Sequence, residues 1–236
     1  VPMRRPRTVL IRLLAALVSL AASLAAVPAR ADDPTQTRSV RISTSTGVSL
    51  AAQVTGSAPL AARPTVVEFT PYGQGGASFT VGPAYNFLTV QIRGTGDSDG
   101  AFDVLGPKTQ QDVYDSLAWA CRQPWSNGDL AVVGFSASAI TLFNSLHRKL
   151  PCVKAAVMRS GTFELYRDLL VPGGVPNSVP GLVVLLGIGA LALAQGDQRL
   201  ARNPGSSLEA LTGLMTSALD AGLLNPALNT YWRERG

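Results

Sequence analysis

The sequence predicts an α/β fold: a mainly parallel sheet with helices on both faces. Three observations predict it. Short apolar segments alternate with helical segments between residues 65 and 158, the pattern of strand–helix–strand units. One apolar segment, Leu130–Val133, runs into Gly134-Phe135-Ser136 and turns at once into a helix. Before these units, Ser39–Thr55 alternates apolar with polar residues, which predicts a short antiparallel start.

The chain begins its fold with a predicted hairpin. Apolar residues occupy every second position on either side of a turn at Thr46-Gly47, as expected of half-exposed strands. A linker rich in Gly, Ala and Pro follows at Gly56–Pro64. The alternating apolar residues are Val40, Ile42, Val48, Leu50 and Val54.

Four further strands and two helices are predicted. Val113, Leu117 and Cys121 are spaced four apart on the first helix, Lys108–Arg122. The second helix starts after Ser136 and runs to about Lys149, before the stop signal of Pro151. Asn127-Gly128-Asp129 predicts the turn into the central strand. The predicted strands are Thr65–Phe69, Asn86–Ile92, Leu130–Val133 and Val153–Met158.

The turn around Ser136 has the composition of a nucleophile elbow. Such a turn is tight and strained, so residues two before and two after the serine must be small. Gly134 meets the first demand, and Ser138 stands where the usual pattern has glycine. The string is weak evidence by itself, because short Gly-x-Ser patterns occur by chance.

The first 31 residues have the layout of a secretory signal peptide. Four arginines follow Met3, then an apolar run at Leu13–Val27, then the small-x-small site Ala29-Arg30-Ala31. The alternative is a membrane anchor, but the apolar run is short for the ~20 residues that span a bilayer. We therefore expect cleavage after Ala31 and a secreted or periplasmic, cell-envelope location.

Charge and domain organisation follow from that leader. The chain has 20 basic and 15 acidic residues, and the leader holds five arginines and no acid, so the remainder has no net charge. A nucleic-acid partner, which requires a basic face, is therefore not expected.

We expect residues 32–160 to form the α/β core and residues 161–236 a helical cap.

The two cysteines, Cys121 and Cys152, fall at the same edge of the predicted sheet, one at a helix end and one before a strand. Export permits a disulfide between them. Two buried free thiols are the alternative.

Two other segments leave alternatives open. Val179–Ala194 is apolar on every side, which fits either a buried helix or a lid helix lining a substrate pocket. Arg93–Gly100 is a Gly- and Asp-rich loop. It lacks the Gly-Lys-Ser/Thr ending of a phosphate loop and the third glycine of a dinucleotide fingerprint, so a plain turn is the simpler interpretation.

A serine at such an elbow needs a base to take its proton and donors for the developing oxyanion. The backbone N–H of Ala137, at a helix start, is one candidate donor. The phenol of Tyr72, in the loop after the third strand, is the other. His147 is the single histidine, eleven residues after Ser136 on the same predicted helix. At ~1.5 Å rise per residue it lies about 16 Å away along the axis, too far to serve as the base.

Five motifs follow one another along the chain. They are Thr70-Pro71-Tyr72, Arg93–Gly100, Gln123–Gly128, Gly134-Phe135-Ser136 and Tyr231-Trp232-Arg233. Their order and rough spacing resemble those of the CocE/NonD hydrolases, which are the cocaine esterase and X-Pro dipeptidyl-peptidase relatives within the α/β-hydrolase superfamily. The resemblance extends from about Arg63 to the C-terminus.

The resemblance implies an α/β-hydrolase fold with a helical cap, Ser136 as nucleophile, and the Tyr72 hydroxyl and Ala137 N–H as the oxyanion hole. It implies hydrolysis of esters or amides through an acyl-enzyme, without metal or cofactor. The family places its Asp and His after the cap, and this sequence ends where the cap ends. The sequence thus predicts a truncated hydrolase lacking the C-terminal part of the fold. Glu164 is a minor candidate for the acid.

Three hypotheses about function follow. The first is an exported serine hydrolase, truncated here, whose apolar cap favours small-molecule or peptide esters and amides with an apolar group. The second is a catalytically inactive, hydrolase-like binding protein. The third is a membrane-associated protein anchored by Val179–Ala194; on the first two hypotheses only the uncleaved leader would meet a membrane.

Overall fold

The computed structural model describes residues 34–72, 79–103, 105–175, 177, 227 and 229–235. The predicted signal peptide, the Val179–Ala194 stretch and most of the predicted cap lie outside these residues. All described elements belong to one compact unit, Pro34–Gly236.

Six strands form one mixed sheet in the order β1-β2-β4-β3-β5-β6. β1 pairs antiparallel with β2, and β2 with β4, whereas β4, β3, β5 and β6 are parallel to one another. The antiparallel start and the parallel remainder are both as predicted. The strands are β1 (Thr35–Ser43), β2 (Ser49–Ser57), β3 (Arg63–Thr70), β4 (Asn86–Gln91), β5 (Ser126–Phe135) and β6 (Val153–Arg159).

Three α-helices lie within the described residues. α1 spans Pro107–Ala120, α2 spans Ala137–Ser145 and the short α3 spans Thr230–Arg233. A π-helical turn at Tyr166–Leu170 and a 3-10 turn at Pro172–Gly174 follow β6. The Asp103 carboxylate accepts hydrogen bonds from the backbone N–H groups at the start of α1, which satisfies donors that a helix leaves open.

The main core lies between one face of the sheet and the described helices. Alternate residues of the central strands point to this face, and side chains from α1, α2 and α3 pack on them. Trp232 of α3 is 3% exposed there, so the end of the chain is built into the core. The core includes Val54, Val67, Phe69, Leu88, Val90, Val113, Leu117, Val132 and Leu142.

The opposite face carries a smaller apolar cluster. Val66, Phe87 and Val133 form it, with Phe79 and Val81 packed against them. Glu68 points to this face too, because it alternates with Val67 along β3, and it is fully buried.

Two boundaries differ from the sequence predictions. The predicted turn at Asn127-Gly128-Asp129 lies inside β5, where Gly128 has a φ of 91° and the ladder shifts register against its neighbours. Residues 127–129 have no ladder partners, since β3 pairs with Ser126 and then with Leu130, and the pairing with β6 begins at Leu130. The Gly128 N–H donates to the Ser126 hydroxyl and the Asp129 N–H to the Asn127 side chain, so the predicted turn is present as an irregularity within the strand. Helix α2 ends at Ser145 rather than near Lys149. Leu146 closes it with a bond from its N–H to the Leu142 carbonyl.

Candidate active site

Ser136 occupies the junction between β5 and α2. Its φ and ψ are 55° and −124°, a region that costs a non-glycine residue about 1–3 kcal/mol. The turn is held from both sides. The Ser136 N–H donates to the Arg159 carbonyl at 3.0 Å, and the Ser136 carbonyl accepts from the Ile140 N–H at 3.0 Å. These bonds fix a half-buried serine at the edge where the parallel strands end.

The elbow is closely packed and depends on small residues. A Cβ on Gly134 would lie 2.6 Å from the Ala139 nitrogen and 2.7 Å from the Ser138 carbonyl carbon. A Cβ on Gly161 would lie 2.6 Å from the Ala139 Cβ. Ser138, which replaces the usual glycine, is fully buried, and its hydroxyl has no hydrogen-bond partner among the described residues. The elbow therefore accommodates a serine at this position without a hydrogen bond from the described part of the chain.

The two predicted oxyanion donors lie side by side. The Ala137 N–H points to the Tyr72 hydroxyl oxygen at 3.3 Å. Tyr72 is placed by the end of β3, where its own N–H donates to the Thr70 hydroxyl at 3.0 Å. An oxygen anion beside Ser136 could accept from both groups, and the dipole of α2 favours negative charge at this end.

The backbone of Arg159, which no sequence pattern predicted as part of the site, lies against the nucleophile turn. Arg159 is the last residue of β6 and is paired in register with Phe135. Its guanidinium carbon lies 4.7 Å from the centre of the Phe79 ring and 5.6 Å from that of Phe135. Its place at the carboxyl end of the strand next to β5 was the available signal, because ligands of parallel sheets bind at that edge.

His147 does not approach Ser136. It lies in the turn after α2, where it is exposed and its Nδ1 is 3.0 Å from the Asn144 carbonyl oxygen. Nine helical residues separate the two side chains, about 13 Å at 1.5 Å rise per residue. The prediction that it cannot reach the serine holds, although His147 lies beyond the end of the helix and not on it.

Glu164, the candidate acid, is engaged elsewhere. Its carboxylate lies 3.3 Å from the Nε of Arg167 in an i,i+3 pair on the surface. Within the described residues, no group of three or more His, Cys, Asp or Glu side chains is arranged to hold a metal ion.

The Gly- and Asp-rich loop at 93–100 is anchored rather than flexible. Ser98 accepts from the Ala51 N–H and donates to the Gln91 carbonyl, and Arg41 donates to Asp97 and Asp99. These contacts tie the loop to the hairpin. They give it a structural role.

Cys121 and Cys152 are joined by a disulfide, with a Cα–Cα distance of 6.3 Å. The bridge links the end of α1 to the start of β6. Within the described part of the chain, no helix has the length and apolar character needed to cross a membrane.

Comparison with known proteins decides the family. A model of the X-Pro dipeptidyl-peptidase (S15) family matches residues 46–236. The chain belongs to this family. S15 proteins are serine hydrolases, and the resemblance to the CocE/NonD hydrolases, drawn above from five motifs, is confirmed.

Solved structures share the fold of this S15 member. A CocE/NonD family hydrolase from Staphylococcus aureus aligns with 87% of this chain and 42% of its own, at a TM-score of 0.69 and 17% identity. An α-amino acid ester hydrolase aligns with 89% of this chain and 40% of its own, at a TM-score of 0.56 and 18% identity. These identities support the predicted α/β-hydrolase fold alone.

Two curated relatives are named as serine esterases, one in Mycobacterium bovis and one in Mycobacterium tuberculosis. Each is 30% identical over 96 residues, which cover 40% of this chain and 15% of the relative. The chain thus spans about 15% of its curated relatives and about 40% of its structural neighbours.

Proposed function

We propose that this chain carries the nucleophile and oxyanion hole of a serine hydrolase that cleaves ester or amide bonds through an acyl-enzyme at Ser136. The supporting observation is the pairing of a strained serine with two donors. Ser136 has a φ of 55° on a strand–helix turn, and the Ala137 N–H and Tyr72 hydroxyl lie 3.3 Å apart beside it. Strained backbone of this kind is concentrated at functional sites, and the two donors beside Ser136 favour a catalytic role for it.

The reaction follows from these groups. The Ser136 Oγ attacks the carbonyl carbon while its proton passes to a base, and the carbonyl oxygen becomes an anion that accepts from Ala137 and Tyr72. Collapse breaks the ester or amide bond, and the alcohol or amine leaves with that proton. Water then attacks the acyl-enzyme by the same route. Each oxyanion donor is worth about 3–4 kcal/mol of barrier in such reactions.

The base is not His147, which is the only histidine of the chain. We propose that the base and its orienting carboxylate come from polypeptide beyond the 236 residues. The chain's coverage of 42% of its Staphylococcus aureus neighbour supports this. The proposed active enzyme is therefore a longer polypeptide, of which this chain is the nucleophile-bearing part.

Substrate and location are part of the same proposal. The substrate is a small-molecule or peptide ester or amide, and the apolar composition of Val179–Ala194 favours an apolar group in it. The enzyme acts outside the cytoplasm after the leader is removed at Ala31. It needs no metal or cofactor and binds no nucleic acid, and it meets the membrane through the uncleaved leader alone.

The test is covalent labelling followed by turnover. A fluorophosphonate probe should label the longer polypeptide that also supplies the base, and Ser136→Ala in it should abolish labelling whereas Ser145→Ala, at the other end of α2, should not. With 4-nitrophenyl butyrate, Tyr72→Phe should lower kcat/KM by about 100-fold or more relative to the same polypeptide with Tyr72 intact. Labelling that persists in Ser136→Ala would refute the nucleophile assignment.

A second candidate is a catalytically inactive, hydrolase-like binding protein. The observation that favours it is the position of the single histidine at the far end of α2. The two candidates differ in turnover. The inactive protein would show no Ser136-dependent release of 4-nitrophenol, even when assayed together with the polypeptide encoded downstream.

A further inference from the structure

We infer that Gly161 is a positioning residue for the nucleophile: the turn that follows β6 holds Ser136 and the first turn of α2 in the geometry that the reaction requires. This role rests on the proposed function of Ser136 and adds a residue that acts on the reaction through it. The turn consists of residues 159–161 and is here called the β6 turn.

The β6 turn has strained backbone beside the strained serine. Among the described residues, three non-glycine residues have a positive φ, and two of them are Ser136 at 55° and Ser160 at 53°. The carbonyl of Arg159, directly before Ser160, accepts the Ser136 N–H at 3.0 Å. Residues in such conformations persist only where the surrounding structure enforces them, and they are concentrated at functional sites. Two of them joined through one backbone hydrogen bond therefore mark the β6 turn as part of the site.

Gly161 brings the β6 turn against helix α2. A Cβ on Gly161 would lie 2.6 Å from the Ala139 Cβ, and 3.3 Å from both the Ala139 carbonyl carbon and the Ile140 nitrogen. The first distance is about 1 Å inside the ~3.5–4.0 Å contact of two carbon atoms. The φ of Gly161 lies outside the left-handed region, so glycine is required here for space and not for backbone freedom.

The chain is also anchored beyond Gly161. The Thr162 hydroxyl accepts a hydrogen bond from the Glu164 N–H at 3.1 Å and donates one to the Asp168 carboxylate. Leu165 follows, 6% exposed and packed in the main core. Because the backbone bond to the elbow lies on one side of Gly161 and these contacts lie on the other, added volume at this position is transmitted to the first turn of α2.

The first turn of α2 presents the oxyanion donor. The Ala137 N–H lies two residues before Ala139, and the Ile140 N–H closes the turn on the Ser136 carbonyl at 3.0 Å. A shift of this turn therefore moves the Ala137 N–H relative to the Ser136 hydroxyl. Donors aimed at a developing oxyanion act in the transition state, so their displacement lowers kcat and leaves KM little changed. A displacement of about 1 Å costs on the order of 100-fold in rate.

A double-mutant cycle on the contact between Gly161 and Ala139 tests this role. Gly161→Ala, Ala139→Gly and the double variant are made in the longer polypeptide that supplies the base, and hydrolysis of 4-nitrophenyl butyrate is followed. The value of kcat is calculated per site titrated to completion with a fluorophosphonate, so that loss of folded protein alone does not lower it. Gly161→Ala should lower this kcat by about 10- to 100-fold and change KM by less than about threefold, and adding Ala139→Gly should recover most of the loss.

Gly56→Ala is the matched control, because it adds a close contact away from the elbow. A Cβ on Gly56 would lie 2.0 Å from the side-chain oxygen of Asn86, whose amide nitrogen donates two hydrogen bonds. Asn86 is the first residue of β4, at the amino end of the parallel strands, whereas Ser136 follows the carboxyl end of β5. Gly56→Ala should lose stability and keep the wild-type kcat per titrated site. A kcat for Gly161→Ala that matches this control, or a loss that Ala139→Gly does not relieve, would overturn the inference.

Amide hydrogen exchange in the 236-residue chain gives a readout that does not depend on turnover. The Ser136 N–H donates to the carbonyl of the last residue of β6, and the Leu130 N–H donates to the Cys152 carbonyl at 2.8 Å, just before the start of β6. Gly161→Ala should speed exchange at Ser136 relative to Leu130 by about tenfold, because it weakens the first bond and not the second. An unchanged ratio of the two exchange rates would show that Gly161 does not hold the nucleophile turn.

The outcomes separate this role from the proposed function. Activity that survives in Ser136→Ala refutes the proposed function, whereas activity that is lost in Ser136→Ala and retained in Gly161→Ala refutes the positioning role alone. If Gly161→Ala does not fold, Ala139→Gly takes its place, since it opens the same contact without adding volume. Unchanged kcat and unchanged exchange at Ser136 in that folded variant would then overturn the inference.

Discussion

At the residue scale, the candidate site depends on a glycine, Gly134, whose lack of a side chain allows close packing at the elbow. The elbow brings the backbone of β5 against the backbone of α2, and glycine at 134 is what permits it. A Cβ there would lie 2.7 Å or less from three backbone atoms of Ser138 and Ala139. Those atoms cannot move away without shifting the helix on which the Ala137 N–H is presented.

Gly134→Ala is therefore expected to lower the free energy of unfolding by about 1–3 kcal/mol, the usual cost of forcing extra volume into a packed region. In the longer polypeptide that supplies the base, it should also reduce labelling of Ser136 by a fluorophosphonate. Gly82→Ala is the control, because a Cβ at Gly82 has no atom within 4 Å. Urea denaturation of both variants measures the difference, and equal stability of the two would contradict the packing account.

The site residues also show what the sequence could and could not predict. Ser136, Tyr72 and Ala137 were predicted because a nucleophile elbow and its donors require particular residue types at particular places in the chain. Arg159 was not, because an arginine ending a strand is common. Its meaning comes from pairing with Phe135, which requires knowing that β6 lies next to β5. The burial of Glu68 was not predicted for the same reason, since it depends on what packs over the sheet.

At the element scale, a buried ion pair joins the hairpin, the 93–100 loop and α1. The Arg93 Nε lies 2.7 Å from the Asp112 carboxylate, and both side chains are at most 4% exposed. Thr46, at the hairpin turn, donates to Asp112 and accepts from Arg93, each at 2.6 Å. All three groups are satisfied by one another, so removing one leaves the others unpaired in the interior.

Asp112→Ala should lower the free energy of unfolding by about 3–5 kcal/mol, because it leaves the Arg93 charge buried without its partner. Asp99→Ala is the matched comparison. The Arg41–Asp99 pair has a similar separation of 2.9 Å, but its side chains are 47% and 37% exposed. Its loss should cost about 1 kcal/mol or less. Chemical denaturation distinguishes the two, and similar losses would show that burial does not set the value of the pair.

Local sequence signals predict the elements of this fold better than they predict where each element ends. The hairpin, the parallel strands and both main helices were predicted, because each has a periodicity that depends only on its own residues. The end of α2 was not, since the sequence offers no stop signal before Pro151 and the helix ends at Ser145. The strand order, with β3 between β4 and β5, is a property of the assembled sheet and no single strand encodes it.

At the scale of the whole molecule, β6 is the last strand of the sheet formed by the described residues. It pairs with β5 on one side. The backbone carbonyl of its last residue, Arg159, accepts the Ser136 N–H, so this strand holds the nucleophile turn. The Cys121–Cys152 disulfide ties the start of this strand to the end of α1.

Removing the disulfide should therefore destabilise the protein. The bridge closes a loop with a sequence separation of 31 residues, for which the chain-entropy model gives about 3–4 kcal/mol. We expect the double variant Cys121→Ser/Cys152→Ser to lose about this much in guanidinium denaturation. Because the chain has two cysteines, dithiothreitol should lower the stability of the wild type to that of the variant and leave the variant unchanged. A wild type that is indifferent to dithiothreitol and equal in stability to the variant would contradict the assignment of a stabilising tether between helix and edge strand.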